Sequence, residues 1–276
     1  MIHTPTLRLS NGVDMPSLGF GVFQVPNDRA ATSVAQALRL GYRSIDTAAI
    51  YENEPGTGRA IAESGIPRSE VFLTTKLWNA EQGRDAALHA FDLSLERLGV
   101  DYVDLYLIHW PVPSRDLYVE TWRALQPLLA QGRARALGVS NFLPAHLDRL
   151  VTETGVAPAV NQIEFHPRWQ PREIQEADDK HGVVTEAWSP LGQGAALAVS
   201  TIVAIADRIG RSPAQVVLRW HLDRGRVVIP KSVTPSRIAE NLSVTDFTLP
   251  AEDLAMIDDL ARADGRIGPD PASFVS

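Results

Sequence analysis

The stretch "GRDAALHAFDLSLERLGVDYVDLYLIHW" (residues 83–110) decides how this chain folds. Its first part sets Leu88, Phe91, Leu95 and Leu98 at helical spacing on one face and closes at Gly99, a helix-ending residue. Its second part, "YVDLYLIHW", is rich in apolar and β-favouring residues and predicts a strand that runs into His109 and Trp110. Helix then strand is also the pattern on either side. Upstream lie the helical "DRAATSVAQALRLG", the strand "YRSID", the helical "EPGTGRAIAESG" and the strand "VFLTTK". Downstream come helix 117–131, strand "RALGVS", helix 144–153, strand "AVNQIEF", helix 171–181 and strand "VVTEAWS". Helical stretches 199–209 and 213–224, the strand "VVIP" and helical pieces 235–242 and 251–262 close the chain. Near the N-terminus, "SLGFGVF" reads as a first strand, and "TLRLSNGVDMP" alternates around Asn11-Gly12, which predicts a hairpin over about 5–16 with a two-residue turn.

Eight β-then-α units over about 250 residues predict a parallel (β/α)8 TIM barrel. The expected organisation is one domain over 1–276, with the N-terminal hairpin, extra C-terminal helices and a tail over 263–276. A doubly wound open sheet is the alternative, but it would carry a glycine fingerprint after its first strand. Both "GFGVFQ" and "GTGRAI" lack the third glycine.

Composition narrows the function. With 45% hydrophobic and 21% charged residues, the chain can build a sizeable core. A net charge of −7 argues against general nucleic-acid binding. The absence of cysteine removes disulfides, a thiol nucleophile and thiolate metal sites, and the histidines show no H-E-x-x-H spacing. No secretory core is visible in "MIHTPTLRLSNG", and no apolar run reaches the roughly 18–20 residues that span a bilayer. The expectation is a cytoplasmic monomer without metal, membrane or nucleic-acid partner.

Barrel enzymes work at the C-terminal ends of their strands. The residues there are Gly21, Val22 and Phe23; Asp46, with Tyr51 in the next loop; Lys76 and Trp78; His109 and Trp110. Ser140 and Asn141, Gln162, Trp188 and Ser189, and Lys231 and Ser232 follow. Singly each has a plain reading: Asp46 as a helix cap, Tyr51 as a packed ring, Lys76 as a solvated charge, His109 as a core histidine. Together Asp, Tyr, Lys and His converge from adjacent strands, as in an active site. A lysine ammonium near a phenol lowers the phenol's pKa, and a carboxylate keeps that lysine charged. Such a phenol can protonate a carbonyl oxygen while a histidine polarises it. Hydride must come from a nicotinamide or flavin, since side chains supply none.

The strings "GYRSIDTAAIYENE", "TTKLW", "DLYLIHWP", "ALGVSNF", "NQIEFHP", "EAWSPLGQG" and "IPKSVTPSRIAEN" resemble, in order over about residues 4–262, the aldo-keto reductase superfamily. "EAWSPLGQG" and "DGRIGPDPASF" bring it nearest to the bacterial 2,5-diketo-D-gluconic acid reductase-like branch. The resemblance implies that Tyr51 is the general acid for reduction. It implies that Lys76 lowers the Tyr51 pKa, that Asp46 pairs with Lys76 beside the cofactor, and that His109 positions the carbonyl. Ser140, Asn141 and Gln162 would bond the nicotinamide carboxamide, and Trp188 would stack on its ring. Lys231, Ser232 and Arg237 would hold the 2′-phosphate of NADPH, with Glu240 and Asn241 at the adenine. Gly21, Val22, Ser189 and Leu191 would line the cofactor's track, and Phe23, Trp78 and Trp110 would wall the pocket with His109.

Two departures stand out. Thr234 occupies a position where close relatives often carry arginine, which implies a weaker NADPH preference with NADH tolerated. The segment between Gly194 and Ala204, expected as the loop that folds over the cofactor, is short and alanine-rich. The expected function is NADPH-dependent reduction of small aldehydes and ketones, keto-sugar acids and α-dicarbonyls included. The competing readings are a Schiff-base aldolase using Lys76 and a barrel that binds NADPH without catalysis.

Overall fold

Period-two alternation along the strands builds the molecule. The computed structural model describes residues 5–275, so residues 1–4 and the last residue of the expected tail, Ser276, lie outside the described residues. β1 (Thr6–Arg8) and β2 (Asp14–Pro16) form the antiparallel hairpin. β3 (Phe20–Gly21), β4 (Ser44–Asp46), β5 (Phe72–Leu77), β6 (Val103–Ile108), β7 (Ala134–Ser140), β8 (Val160–Glu164), β9 (Val184–Trp188) and β10 (Val227–Val228) make one eight-stranded parallel sheet, paired in sequence order. The sheet closes on itself. Leu18 bridges Val228, Gly19 N–H donates to Val228 O at 2.8 Å, and Gly21 N–H donates to Pro230 O at 3.1 Å. The (β/α)8 barrel is therefore present, and the open-sheet alternative falls because an open sheet keeps two unpaired edges.

The helices are α1 (Asn27–Leu40), α2 (Glu54–Ala62), α3 (Arg84–Leu98), α4 (Tyr118–Leu125), α5 (Pro127–Ala130), α6 (Pro144–Thr154), α7 (Arg172–His181), α8 (Ser200–Ile209), α9 (Pro213–Asp223), α10 (Pro235–Leu242) and α11 (Ala251–Asp258). Along each strand, one parity packs outward against these helices and the other points into the barrel. Leu73 and Leu77, Tyr106 and Ile108, and Leu137 and Val139 belong to the outer core, beside Phe91, Leu95 and Leu98 of α3. Phe72, Leu105, Leu107, Ala136, Val160 and Val227 fill the lower barrel interior, where Leu9 and Met15 of the hairpin segment plug it. Continuing the inward parity upward reaches Asp46, Lys76, His109, Ser140, Gln162 and Trp188.

Five local expectations change. The hairpin loop is three residues, Ser10, Asn11 and Gly12: Leu9 N–H donates to Val13 O and Gly12 N–H to Leu9 O. Gly12 alone has positive φ, so this is a turn followed by a glycine bulge and not a two-residue Asn-Gly turn. Helix 117–131 breaks into α4 and α5 at Pro127, whose nitrogen cannot donate to the preceding turn. The first barrel strand is shorter than "SLGFGVF", and the last helix ends at Asp258 instead of 262. The segment 194–204 is not one loop: 192–198 forms short helical turns kinked at Gln193 and Gly194, and α8 starts at Ser200.

The tail returns over the barrel mouth. Arg262 N–H donates to Arg168 O, and the Glu164 carboxylate accepts the N–H groups of Ile267 at 2.6 Å and Gly268 at 2.7 Å. Gly268 permits this close approach, since a Cβ there would stand 2.5 Å from the Trp188 ring.

If the hairpin is part of the barrel's cooperative core, Met15→Ala will lower the unfolding free energy by ~2–5 kcal/mol in urea titrations. A change near zero would mean that the plug folds apart from the barrel.

Candidate active site

Lys76 is the centre of the site. It stands on the inward face of β5 with 0% of its surface exposed. Its Nζ donates to Asp46 Oδ1 at 2.6 Å and to Thr47 O at 2.9 Å, and lies 3.5 Å from Tyr51 Oη. Burial alone lowers the pKa of this amine. The charge and hydrogen bond of Asp46, with Tyr51 and Glu186, together outweigh burial, and the Lys76 pKa is raised above its ordinary value. The short helical turn at Ala49–Tyr51, just past β4, carries Tyr51 back over the ammonium. Asn53 holds that loop: it accepts from Thr47 Oγ1 at 2.7 Å and donates to the carbonyls of Val22 and Val25 at 2.9 Å each.

The pKa of Tyr51 departs from the expected direction. Lys76 does lower it, but burial raises it more, with the Asp46 charge adding to the rise, so the net shift is upward. Tyr51 is a phenol that keeps its proton at neutral pH. His109 continues the inward parity of Leu105 and Leu107 one step past β6. Burial and the nearby ammonium push its pKa well below the usual histidine value, so the ring is neutral. Its Nδ1 is sealed without a partner, which leaves Nε2 as the nitrogen accessible from the mouth.

Aromatic rings frame this group. Tyr51 meets Phe23 at 5.1 Å and His109 at 5.8 Å between centroids. Trp78 packs edge-on to His109 at 5.2 Å. Trp110 stacks beside His109 at 6.5 Å and touches Phe274 of the tail at 4.4 Å. Phe23 remains 47% exposed at the rim.

A polar wall faces the rings. Ser140 Oγ donates to Gln162 O at 2.7 Å, and Asn141 Nδ2 donates to His109 O and Ser140 Oγ. Trp188 Nε1 donates to Asn141 Oδ1 at 2.8 Å, which fixes the indole against the wall. Asn141 and Ser189 both have positive φ, at 63° and 48°. Such strained backbone concentrates at functional sites. Gln162 Nε2 donates to Asp46 Oδ2 and to Glu186 Oε2, each at 2.8 Å. Both amide hydrogens are thereby used on acids, and the Oε1 oxygen stays free as an acceptor.

The remaining expected residues lie at the end of β3, just after β9, and from Lys231 into α10. Gly21 and Val22 are buried at the end of β3, where Gly21 N–H donates to Pro230 O across the closing seam and Val22 N–H donates to Asp46 O of β4 at 3.1 Å. Ser189 and Leu191 flank Pro190 after β9. Lys231 and Arg237 are exposed around the start of α10, and neither enters an ion pair among the described residues. Ser232 Oγ accepts from Thr234 N–H at 3.1 Å. Asn241 is 4% exposed with no side-chain partner among the described residues, so its amide is open to a ligand. Glu240 differs from the rest: its carboxylate accepts from Ser212 Oγ at the start of α9 and is already engaged.

The chain matches the Aldo/keto reductase family over residues 17–262. It belongs to that family. The aldo/keto reductase chain is 51% identical to the glyoxal reductase of Bacillus subtilis (strain 168), covering 96% of each chain. It is 48% identical to methylglyoxal reductase DkgA of Escherichia coli (strain K12), covering 99% of each. Among solved structures, a point mutant of Gox0644 in complex with NADPH superposes with a TM-score of 0.95 at 48% identity, over 99% of each chain.

Sequence reasoning passed over Thr47, Asn53 and Glu186. Glu186 was detectable: in "VVTEAWS" it is two residues before Trp188 and so shares its inward face. Thr47 and Asn53 carry no such signal, because irregular loops have no period.

Breaking the buried pair will test its weight. Asp46→Asn will cost ~3–5 kcal/mol of stability at neutral pH, measured by urea unfolding, because it strands an ammonium in the barrel. Since the folded Lys76 pKa is raised, the pair's contribution is complete below the amine's ordinary 10.5 and is lost as pH rises through the higher folded value. The gap between wild type and variant will therefore narrow in that alkaline range.

Proposed function

We propose that this enzyme reduces aldehydes and ketones to alcohols with NADPH, using Tyr51 as the general acid. The observation that carries the reading is the meeting of the Tyr51 hydroxyl, the Lys76 ammonium and the His109 ring at one aromatic-walled mouth. The residues present fit the cofactor. Gln162 offers a free carbonyl oxygen, Ser140 and Asn141 stand beside it, and Trp188 provides a flat surface. Two unpaired cations at the start of a helix suit a phosphate, and the open amide of Asn241 suits a purine edge. Of the expected adenine contacts, Asn241 is better supported than Glu240.

When bound, NADPH supplies the hydride from its nicotinamide C4. The chain does the rest. Tyr51 holds its proton at neutral pH and gives it to the carbonyl oxygen. Lys76 stands close enough to stabilise the phenolate that remains, and Asp46 keeps Lys76 charged and in place. Neutral His109 hydrogen-bonds the carbonyl and orients it, which stabilises the developing oxyanion. Phe23, Trp78 and Trp110 keep water from the reacting atoms. Lys76 does not suit Schiff-base chemistry, which needs a neutral amine, because Asp46 and Thr47 hold it as an ammonium.

Small α-dicarbonyls are the preferred substrates in this reading. The names of the Bacillus and Escherichia relatives support this, as does a mouth narrowed by the Trp110–Phe274 contact. The reading also carries a monomeric, cytoplasmic enzyme, which size-exclusion chromatography and cell fractionation would check.

Tyr51→Phe will still bind NADPH, followed by nucleotide fluorescence, but will lose turnover by about 10²–10⁴-fold. Near-normal turnover would remove Tyr51 as the acid. Lys231→Ala and Arg237→Ala will each raise the KM for NADPH about tenfold or more while leaving the KM for NADH unchanged. Equal effects on both nucleotides would show that neither cation reads the 2′-phosphate.

A further inference from the structure

Behind the site lies an acid to which the mechanism gives no task. Glu186 is on the inward face of β9, 1% exposed. Its Oε2 accepts from Gln162 Nε2 at 2.8 Å, the same nitrogen that donates to Asp46 Oδ2 at 2.8 Å. Its Oε1 is sealed without a partner. The charged and titratable groups facing it are Asp46 from β4, Lys76 from β5 and Tyr51 from the loop after β4. β8 contributes the neutral amide of Gln162, and the β10 residue in register with Glu186 is Val227.

One dry compartment thus holds two acids and a single ammonium. The ammonium touches Asp46 directly, and Glu186 receives only one N–H. The structure assigns to Glu186 the part of a positioning residue: it pins the Gln162 amide with its oxygen toward the cofactor, and its own charge sets the pH range over which Tyr51 acts as an acid. This inference rests on the reading of Tyr51 as that acid.

Two hydrogens on one nitrogen, each taken by a carboxyl oxygen, leave Gln162 a single orientation. The electrostatics follow from the same geometry. Burial, then the Asp46 charge, push the Glu186 pKa up to about 8. Glu186 is therefore uncharged at neutral pH and becomes an anion in mildly alkaline solution. Its negative charge raises the pKa of both Tyr51 and Lys76. As the pH rises, ionisation of Glu186 opposes loss of the Tyr51 proton, so reduction persists further into alkali. In the reverse direction, alcohol oxidation needs the phenolate and is delayed to higher pH.

Glu186→Gln tests this. Glutamine keeps the size and an acceptor oxygen for Gln162 but cannot ionise. Tyr51 is titrated through its phenolate absorbance in the ultraviolet, with the matching Tyr51→Phe background subtracted. The pH profiles of kcat/KM are recorded for reduction and oxidation. The expected result is that Tyr51 ionises about one pH unit lower in the variant. The alkaline fall of reduction and the onset of oxidation will move by the same amount. Glu186→Met, also uncharged, will reproduce the shift if the glutamine variant does not fold, and Glu186→Asp will restore the wild-type limb. Superimposable titrations and profiles overturn the inference. The two readings fail separately: an active Tyr51→Phe removes the acid itself, whereas an inactive Tyr51→Phe with unshifted Glu186 variants removes only the role of Glu186.

Discussion

A lysine ammonium enclosed by a barrel must be neutralised where it stands, and much of the site is arranged to do so. Lys76 has no route to solvent, so Asp46 from the neighbouring strand meets it at 2.6 Å and Thr47 adds a carbonyl. Asp46 has a second oxygen to satisfy, which brings in Gln162 from β8, and Gln162 has a second hydrogen, which brings in Glu186 from β9. One buried charge thus links β4, β5, β8 and β9 through side chains. A hydrophobic residue in place of Lys76 would release all of these partners, so the pair is better understood as a device for placing the phenol than as a source of stability.

The same constraint shapes the acidity of Tyr51. An ammonium beside a phenol suggests a depressed pKa, and Lys76 does act in that sense. In the barrel mouth, however, removing water around the oxygen disfavours the anion more than the lysine favours it. The result suits an acid that must still own its proton when a carbonyl arrives, with the lysine acting mainly on the phenolate left behind.

Much of this was legible in the sequence, and the limits have physical causes. The helix–strand alternation in 83–110 and its repeats were sufficient for the barrel, because amphipathic helices and β-rich runs carry their periods openly. Asp46, Lys76, His109, Ser140, Gln162 and Trp188 fell at strand ends, and the structure gathers them there. The hairpin loop was misjudged because Asn-Gly fits two turn types that differ only in which residues take positive φ. Helix 117–131 hid its break because Pro127 sits inside an otherwise regular apolar pattern. The bond from Ser212 to Glu240 was hidden because a carboxylate's partner depends on which helix end folds beside it, here that of α9. The opposition of burial and charge at Tyr51 is a sum over three-dimensional neighbours that no linear motif displays.

The C-terminal tail is attached differently from the rest of the mouth. Its crossing is fastened by Arg168 O, by the Glu164 carboxylate, by Arg266 over the Trp169 ring and by the close approach of Gly268 to Trp188. Only beyond that fastening does Phe274 reach Trp110. Tyr51, Lys76 and His109, the proposed acid and its helpers, belong to strands or to the loops that immediately follow them. In the proposed reading, substrate choice and bond-making chemistry are thus encoded in separable parts of the gene. Changes in the final residues can retune which carbonyl is admitted while the proton donor stays untouched, so descendants of this sequence can diversify in diet without reinventing the reaction.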